Sequence, residues 1–305
     1  MEEALRSVLL SLAKSKGAND LAKRYGLRFG AGRFVAGDTI ESAVARVRQF
    51  NEGGIDVTLD HLGEFVADRA EAIESKDYCI RTLDAVAAAG VRSSLSVKLT
   101  QLGLDIDREM CYQNMREILR CAQSHDNFVR IDMEDFARLQ LTIDMLLQLH
   151  EEFSNIGTVM QAYLYRAKDD TAMLAGKGIS LRIVKGAYKE PPSVAFPEKA
   201  DVDKQYRELV EISLRAGAYT AIATHDESII QWTRDFVERE QIGRDRFEFQ
   251  MLYGIRPALQ QDLVRAGYRM RVYLPFGTDW YGYFMRRLAE RPANVGFVLR
   301  SMISG

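Results

Sequence analysis

Short runs rich in β-branched and aromatic residues alternate along this chain with longer stretches whose apolar positions recur every three or four residues. The short runs fall at residues 55–59, 94–99, 128–133, 158–164, 181–184, 221–224, 247–252 and 270–274. Helical patterns lie between them, clearest at 76–89, 107–124, 137–153, 203–216 and 227–241. Ahead of the first run, Leu5, Val8, Leu9 and Leu12 are spaced for one helix face, and a second helix is expected over 39–51. The alternation begins after Gly53-Gly54, and no low-complexity segment or repeat breaks it. Eight β-α steps in about 250 residues predict an α/β fold, a (β/α)8 barrel. Residues 1–50 read as an N-terminal helical extension and 51–305 as the barrel. A doubly wound open sheet is the second reading, weakened because no Gly-rich dinucleotide loop follows the first run.

The last run passes through Pro275 and Gly277 into a helical pattern starting near Asp279. At about 100° per residue, Tyr281, Phe284, Met285 and Leu288 share one side. Arg286, Arg287 and Glu290 share the other, with Tyr283 among them. Two adjacent arginines just after a strand end make a clamp for a carboxylate, because each offers a rigid fork of donors. A solvated face with internal Arg–Glu pairs is the other reading.

In a barrel, polar residues at the C-terminal strand ends face the site. Here every run ends in them. Asp60-His61-Leu62-Gly63-Glu64 closes the first, Lys98 the second, Asp132 and Glu134 the third. Gln161, Tyr163 and Tyr165 follow on the fourth, and Arg182 and Lys185 on the fifth, ahead of Gly186-Ala187-Tyr188. Thr224-His225-Asp226 end the sixth, Gln250 and Tyr253 the seventh, and Tyr273 lies on the eighth. Desolvating so many polar groups is costly unless they hold something.

Composition narrows the chemistry. The chain has 305 residues, 47% hydrophobic and 28% charged, with formal net charge −2. That charge gives no footprint for nucleic acid. Three cysteines without metal or redox spacing suggest reduced thiols in a cytoplasmic protein. No apolar run is long enough to span a bilayer, and two glutamates follow the initiating Met, unlike a signal peptide. Composition leaves peripheral contact with the inner face of the plasma membrane open. There is no Gly-x-Ser-x-Gly elbow. His61 and His225 at strand ends could hold a metal with Asp60 or Asp226, but with neither zincin-like His spacing nor a Cys/His cluster no metal is expected. Lys98 or Lys185 could form a Schiff base in an aldolase-like barrel.

The motifs themselves resemble the proline dehydrogenase family. The resemblance runs through Leu95-Ser96-Val97-Lys98-Leu99-Thr100, Arg130-Ile131-Asp132-Met133-Glu134-Asp135 and Val159-Met160-Gln161-Ala162-Tyr163. It continues through Leu181-Arg182-Ile183-Val184-Lys185-Gly186-Ala187-Tyr188, Ala223-Thr224-His225-Asp226 and Phe247-Glu248-Phe249-Gln250-Met251-Leu252-Tyr253-Gly254, and ends in the segment from Tyr273 to Glu290. It covers about residues 55 to 295, in the family's order. It implies a distorted barrel with the last helix over the mouth, holding FAD non-covalently. The implied reaction oxidises L-proline to 1-pyrroline-5-carboxylate and passes electrons to a membrane quinone. A separate pyrroline-5-carboxylate dehydrogenase would act downstream, because the chain looks like the monofunctional form.

The resemblance also implies roles. Lys98, Arg286 and Arg287 would hold the proline carboxylate, with Tyr188 and Tyr273 as the wall for its ring. Arg182 would lie near flavin N5. Gln161 would bond the flavin ring, and the Met133 backbone would touch the cofactor. Lys185, Gly186, Ala187, Thr224 and His225 would hold other parts of FAD. Asp132 would orient Lys98 by an ion pair. Glu64 and Arg286 would form a gate across the entrance. Another flavin-dependent barrel oxidoreductase, or a Schiff-base lyase using Lys98, stays as the alternative.

Overall fold

The computed structural model describes residues 35–63, 66–278 and 280. Its chain order is α1 (Ile40–Glu52), β1 (Asp56–His61), α2 (Arg69–Ala89), β2 (Ser93–Val97), a 3-10 turn (Leu99–Leu102), α3 (Arg108–Ser124) and β3 (Val129–Ile131). It continues with α4 (Phe136–His150), β4 (Ile156–Gln161), α5 (Ala167–Gly176), β5 (Ser180–Val184) and α6 (Lys199–Arg215). It ends with β6 (Thr220–Ala223), α7 (Glu227–Arg239), β7 (Phe247–Leu252), α8 (Pro257–Arg265) and β8 (Met270–Phe276). The eight strands are all parallel and follow sequence order around a closed barrel. β1 and β8 close it, with Asp60 beside Pro275. The expected α/β barrel is therefore the fold. The segment meant to cover the mouth lies outside the described residues, Trp280 excepted.

The strands have the composition of a buried parallel sheet, covered on the outside by helices. Val57, Leu59, Leu95, Val129, Ile131, Met160, Leu181, Ile183, Phe249 and Val272 are fully or almost fully buried. Asp side chains cap the N-termini of α2, α3, α4 and α7 (Asp68, Asp107, Asp135 and Asp226), satisfying N–H groups that the helix cannot pair itself. Those starts surround the mouth, at the C-terminal end of the strands. Gly37 and Ala36, just before α1, exchange backbone hydrogen bonds with Gly277 and Pro275, so the incoming chain is sewn to the end of β8.

Inside, the lower layer is polar. Arg271 donates from Nε to both oxygens of Glu248, at 2.8 and 3.0 Å. Arg130 gives its donors to the Thr158 and Ser180 carbonyls and to the Ser180 hydroxyl. Burial pushes the Arg130 guanidinium down to about 9, with the charge of Arg182 adding to the effect. Gln250, expected at the site, instead donates to Glu248 within this interior layer, at 2.5 Å.

Candidate active site

β2 ends at Val97, and the chain stays extended at Lys98 before turning into the 3-10 segment. That points Lys98 inward. Its ammonium meets Asp60 of β1, Nζ to Oδ1 3.0 Å, with the side chains 14% and 2% exposed. Burial raises the Asp60 carboxyl; Lys98 opposes the shift, and the negative charge of Asp132 adds to it.

Asp132, just past β3, holds the centre of the site. Arg182 of β5 donates from Nη1 to Oδ1 at 2.7 Å. The Tyr273 hydroxyl donates to Oδ2 at 2.6 Å. Arg182 also donates to the Ser96 hydroxyl at 3.1 Å, and its guanidinium lies 5.1 Å from the centre of the Tyr273 ring. Burial of the Tyr273 hydroxyl beside Asp132 and Asp60 holds it protonated, well above its ordinary range. The expected Lys98–Asp132 ion pair is therefore corrected: Lys98 takes Asp60, and both Asp132 oxygens are engaged by Arg182 and Tyr273. Inward residues of alternate strands share a layer, so Arg182 on β5 reaches the carboxylate following β3.

Gln161 ends β4, buried, and donates from Nε2 to the Glu134 carbonyl at 3.1 Å. Met133, the chain neighbour of Glu134, is buried as well. Among the described residues, two buried polar atoms near this rim, Gln161 Oε1 and Arg182 Nε, have no hydrogen-bond partner. Unmet buried groups are rare and call for a ligand, an ion or water. Gly186 has φ +118, and a Cβ there would lie 2.3 Å from the Tyr163 ring. Only glycine fits. The turn that follows is open: Ala187 is exposed, and Tyr188 is 41% exposed.

Lys185 binds Asp226 at 2.9 Å and Asp203 at 2.5 Å. Thr224 accepts the Asp226 N–H through Oγ1 at 3.1 Å, leaving its hydroxyl proton to donate. His225 accepts the Leu252 N–H through Nε2 at 3.0 Å, which places the proton of a neutral ring on Nδ1. The structure thus gathers Lys98, Asp132, Met133, Gln161, Arg182, Lys185, Gly186, Ala187, Tyr188, Thr224, His225 and Tyr273 around the strand ends. Glu64, Arg286 and Arg287, and with them the gate, lie outside the described residues. The roles of Asp60 as the Lys98 partner, and of Ser96 under Arg182, were not read from the sequence. The signal was the period-2 alternation on β2, which puts Ser96 and Lys98 on one side.

A (β/α)8 barrel with a charged, partly unsatisfied mouth defines an enzyme class. The comparisons narrow it. The proline dehydrogenase family model matches residues 43–300, and the chain belongs to that family. It is 48% identical over 299 residues to proline dehydrogenase 1 of Bacillus subtilis (strain 168), covering 98% of this chain and 99% of that one. It is 44% identical to the proline dehydrogenase of Deinococcus radiodurans, over the full length of both. Proline utilization A (PutA) from Bdellovibrio bacteriovorus, in a crystal structure inactivated by N-propargylglycine, superposes with TM-score 0.83 at 24% identity, a likeness of fold. That alignment covers 95% of this chain and 36% of the PutA chain, so this chain spans about a third of the solved relative.

Proposed function

We propose that this protein oxidises L-proline to 1-pyrroline-5-carboxylate, holds FAD non-covalently, and delivers the electrons to a membrane quinone. The observation that carries this reading is the pairing of a fixed Arg182–Asp132–Tyr273 unit with unpartnered Gln161 Oε1 and Arg182 Nε at the same rim. Near-full-length similarity to proteins named proline dehydrogenase supports the substrate. Among the described residues no helix is long and apolar enough to cross a membrane, so quinone would be met at a membrane surface.

The residues fit the flavin. Gln161 and Arg182 offer an acceptor and a donor to a ring edge, and the glycine-only turn at Gly186 permits close approach. Met133, Lys185, Ala187, Thr224 and His225 would hold the remainder. When bound, the flavin supplies a two-electron acceptor for the hydride on the proline carbon next to nitrogen. This chain's own residues bind, orient and exclude. Lys98 holds the carboxylate, aided by Arg286 and Arg287, and its tether to Asp60 fixes its direction. Tyr273 and Tyr188 present ring faces to the proline methylenes. Arg182, locked by Asp132 and Ser96, sets a positive charge where negative charge would grow. Proline loses that hydride and its nitrogen loses a proton, leaving a carbon–nitrogen double bond. Glu64 and Arg286 would close the entrance.

A Schiff-base lyase needs a neutral lysine. Lys98 is instead held 3.0 Å from the Asp60 carboxyl, which directs its amine away from nucleophilic attack. The visible spectrum of the purified protein tests the proposal. Flavin bands that bleach on adding L-proline support it. A colourless protein, or a flavin that L-proline leaves oxidised, overturns it.

A further inference from the structure

We propose that Asp84, Cys121 and His125 form a binding site for a zinc-class divalent cation on the outer flank of the barrel, away from the mouth. Cys121 and His125 stand four apart at the C-terminal end of α3, so they share one face. Asp84 comes from α2. His125 Nε2 lies 2.7 Å from Asp84 Oδ1, and Cys121 Sγ lies 3.6 Å from the same oxygen. All three donor atoms lie within 4.8 Å of one another.

Nitrogen, sulfur and oxygen donors suit zinc. Bonds of about 2.3 Å to sulfur and about 2.0–2.2 Å to nitrogen or oxygen place tetrahedral donors roughly 3–4 Å apart. The His125–Asp84 spacing lies just below that range and the Cys121–Asp84 spacing within it, so small side-chain rotations suffice. Asp84 supplies a negative charge, and the carbonyl end of α3, whose last turn carries no basic residue, favours a cation as well. A cysteine thiol ordinarily keeps its proton at neutral pH. Binding breaks the S–H bond, forms a sulfur–metal bond and releases the proton to solvent. Three protein ligands leave a fourth position for water.

Cys121 and His125 end the helix that follows β2, so the site lies towards the N-terminal end of the strands. His125 also lines a groove of about 720 Å³ there, with Asp56, Arg92 and Arg271 further along it. The ion would staple α2 to α3 and stabilise the folded chain by mass action. The competing account is an ordinary His125–Asp84 surface pair with Cys121 as a bystander. No metal was expected from the sequence because it showed neither zincin-like His spacing nor a Cys/His cluster; the i, i+4 spacing of Cys121 and His125 was passed over, and Asp84 joins them only in the fold.

The test uses the purified holoprotein and zinc itself. After dialysis against Zn2+ and removal of excess, one zinc should remain per chain. Its X-ray absorption should show one sulfur neighbour at about 2.3 Å and lighter neighbours at about 2.0–2.2 Å. Cys121→Ser should remove the sulfur shell. His125→Ala should weaken binding by more than the ~10–100-fold typical of losing an outer-shell partner. Zinc should raise the unfolding temperature of the parent protein and not of these variants. Zinc seen with nitrogen and oxygen only, or uptake unchanged in both variants, overturns the site. Cys79 and Cys111 are buried thiols, and among the described residues neither belongs to a group of three such donors, so they do not compete for the ion. No readout involves flavin or proline, so the outcome is separate from that of the proposed function.

Discussion

Asp60 is buried beside Lys98 at the mouth, and it acts through that lysine. Removing one partner of a buried pair leaves the other charge uncompensated. Asp60→Asn is therefore expected to raise the proline KM by on the order of tenfold, about 1.4 kcal/mol, with a smaller effect on kcat. Steady-state kinetics on a Lys98→Met background provide the check: the pair should show a coupling of about 1–3 kcal/mol. Independent effects would show that the 3.0 Å contact does not position Lys98. Gly186 gives a second residue-scale outcome. Gly186→Ala should cost about 1–3 kcal/mol through its positive φ, and the added Cβ should push the Tyr163 ring towards the mouth. Flavin content per chain and thermal unfolding measure both; full flavin occupancy would contradict the cradle. The identities of these groups were legible in the sequence, but their pairing was not. β2 lies between β1 and β3, so Asp60 and Asp132 were equally near candidates for Lys98. The choice was made by Arg182 and Tyr273, which reach Asp132 from strands far away in the chain.

At the scale of elements, the link between β5, α6 and α7 carries a pH dependence. Asp226 caps α7, accepting the Ser228 N–H, and binds Lys185, while Asp203 of α6 binds the same lysine. The Lys185 hydrogen bond holds the Asp226 carboxyl well below its ordinary range; partial burial opposes this, and Ser228 assists. A depressed folded value means that the contribution is fully present above the unfolded value, about 3.9. It is lost as pH falls towards the folded value. The group is partly exposed, so about 1 kcal/mol is expected. Asn also caps a helix, so Asp226→Asn should leave the cap and remove this acid-sensitive part. Denaturant unfolding at pH 7 and near pH 3 should show the parent losing more stability than the variant on acidification; equal losses would refute it. Element order was legible because eight β-runs alternate with amphipathic stretches. Two helices were not clearly marked. α5 begins without a side-chain cap, and α8 begins at Pro257 after Arg256 in a left-handed conformation, φ 53°. β3 is shorter than its apolar run, because the ladder stops at Ile131 where Asp132 turns to the site.

The whole barrel divides by height. Its lower layer is the Glu248–Arg271 pair with Arg130 nearby, and its upper layer is Asp132, Arg182 and Tyr273. Both are buried ionic groups, yet among the described residues it is the upper one that adjoins the unpartnered Gln161 Oε1 and Arg182 Nε. Stability should therefore follow the lower layer and activity the upper. Burial alone would raise the Glu248 carboxyl, but Arg271, Gln250 and Arg130 together bring it below its usual range. Glu248→Ala strips Arg271 of that partner and leaves positive charge in the closed interior. The expected loss is about 3–5 kcal/mol, or roughly 5–8 °C in Tm for a chain of this size. The folded fraction should still bleach with proline. Asp132→Asn keeps the shape of its side chain but frees Arg182 from its fixed charge. It should change Tm far less while lowering kcat/KM by on the order of 100-fold, the scale of losing a preorganised electrostatic group. Calorimetry and proline-dependent flavin reduction on the two variants separate the layers. If Asp132→Asn unfolds like Glu248→Ala while the folded fraction keeps parental turnover, the mouth network is a second structural floor and the catalytic reading of Arg182 fails.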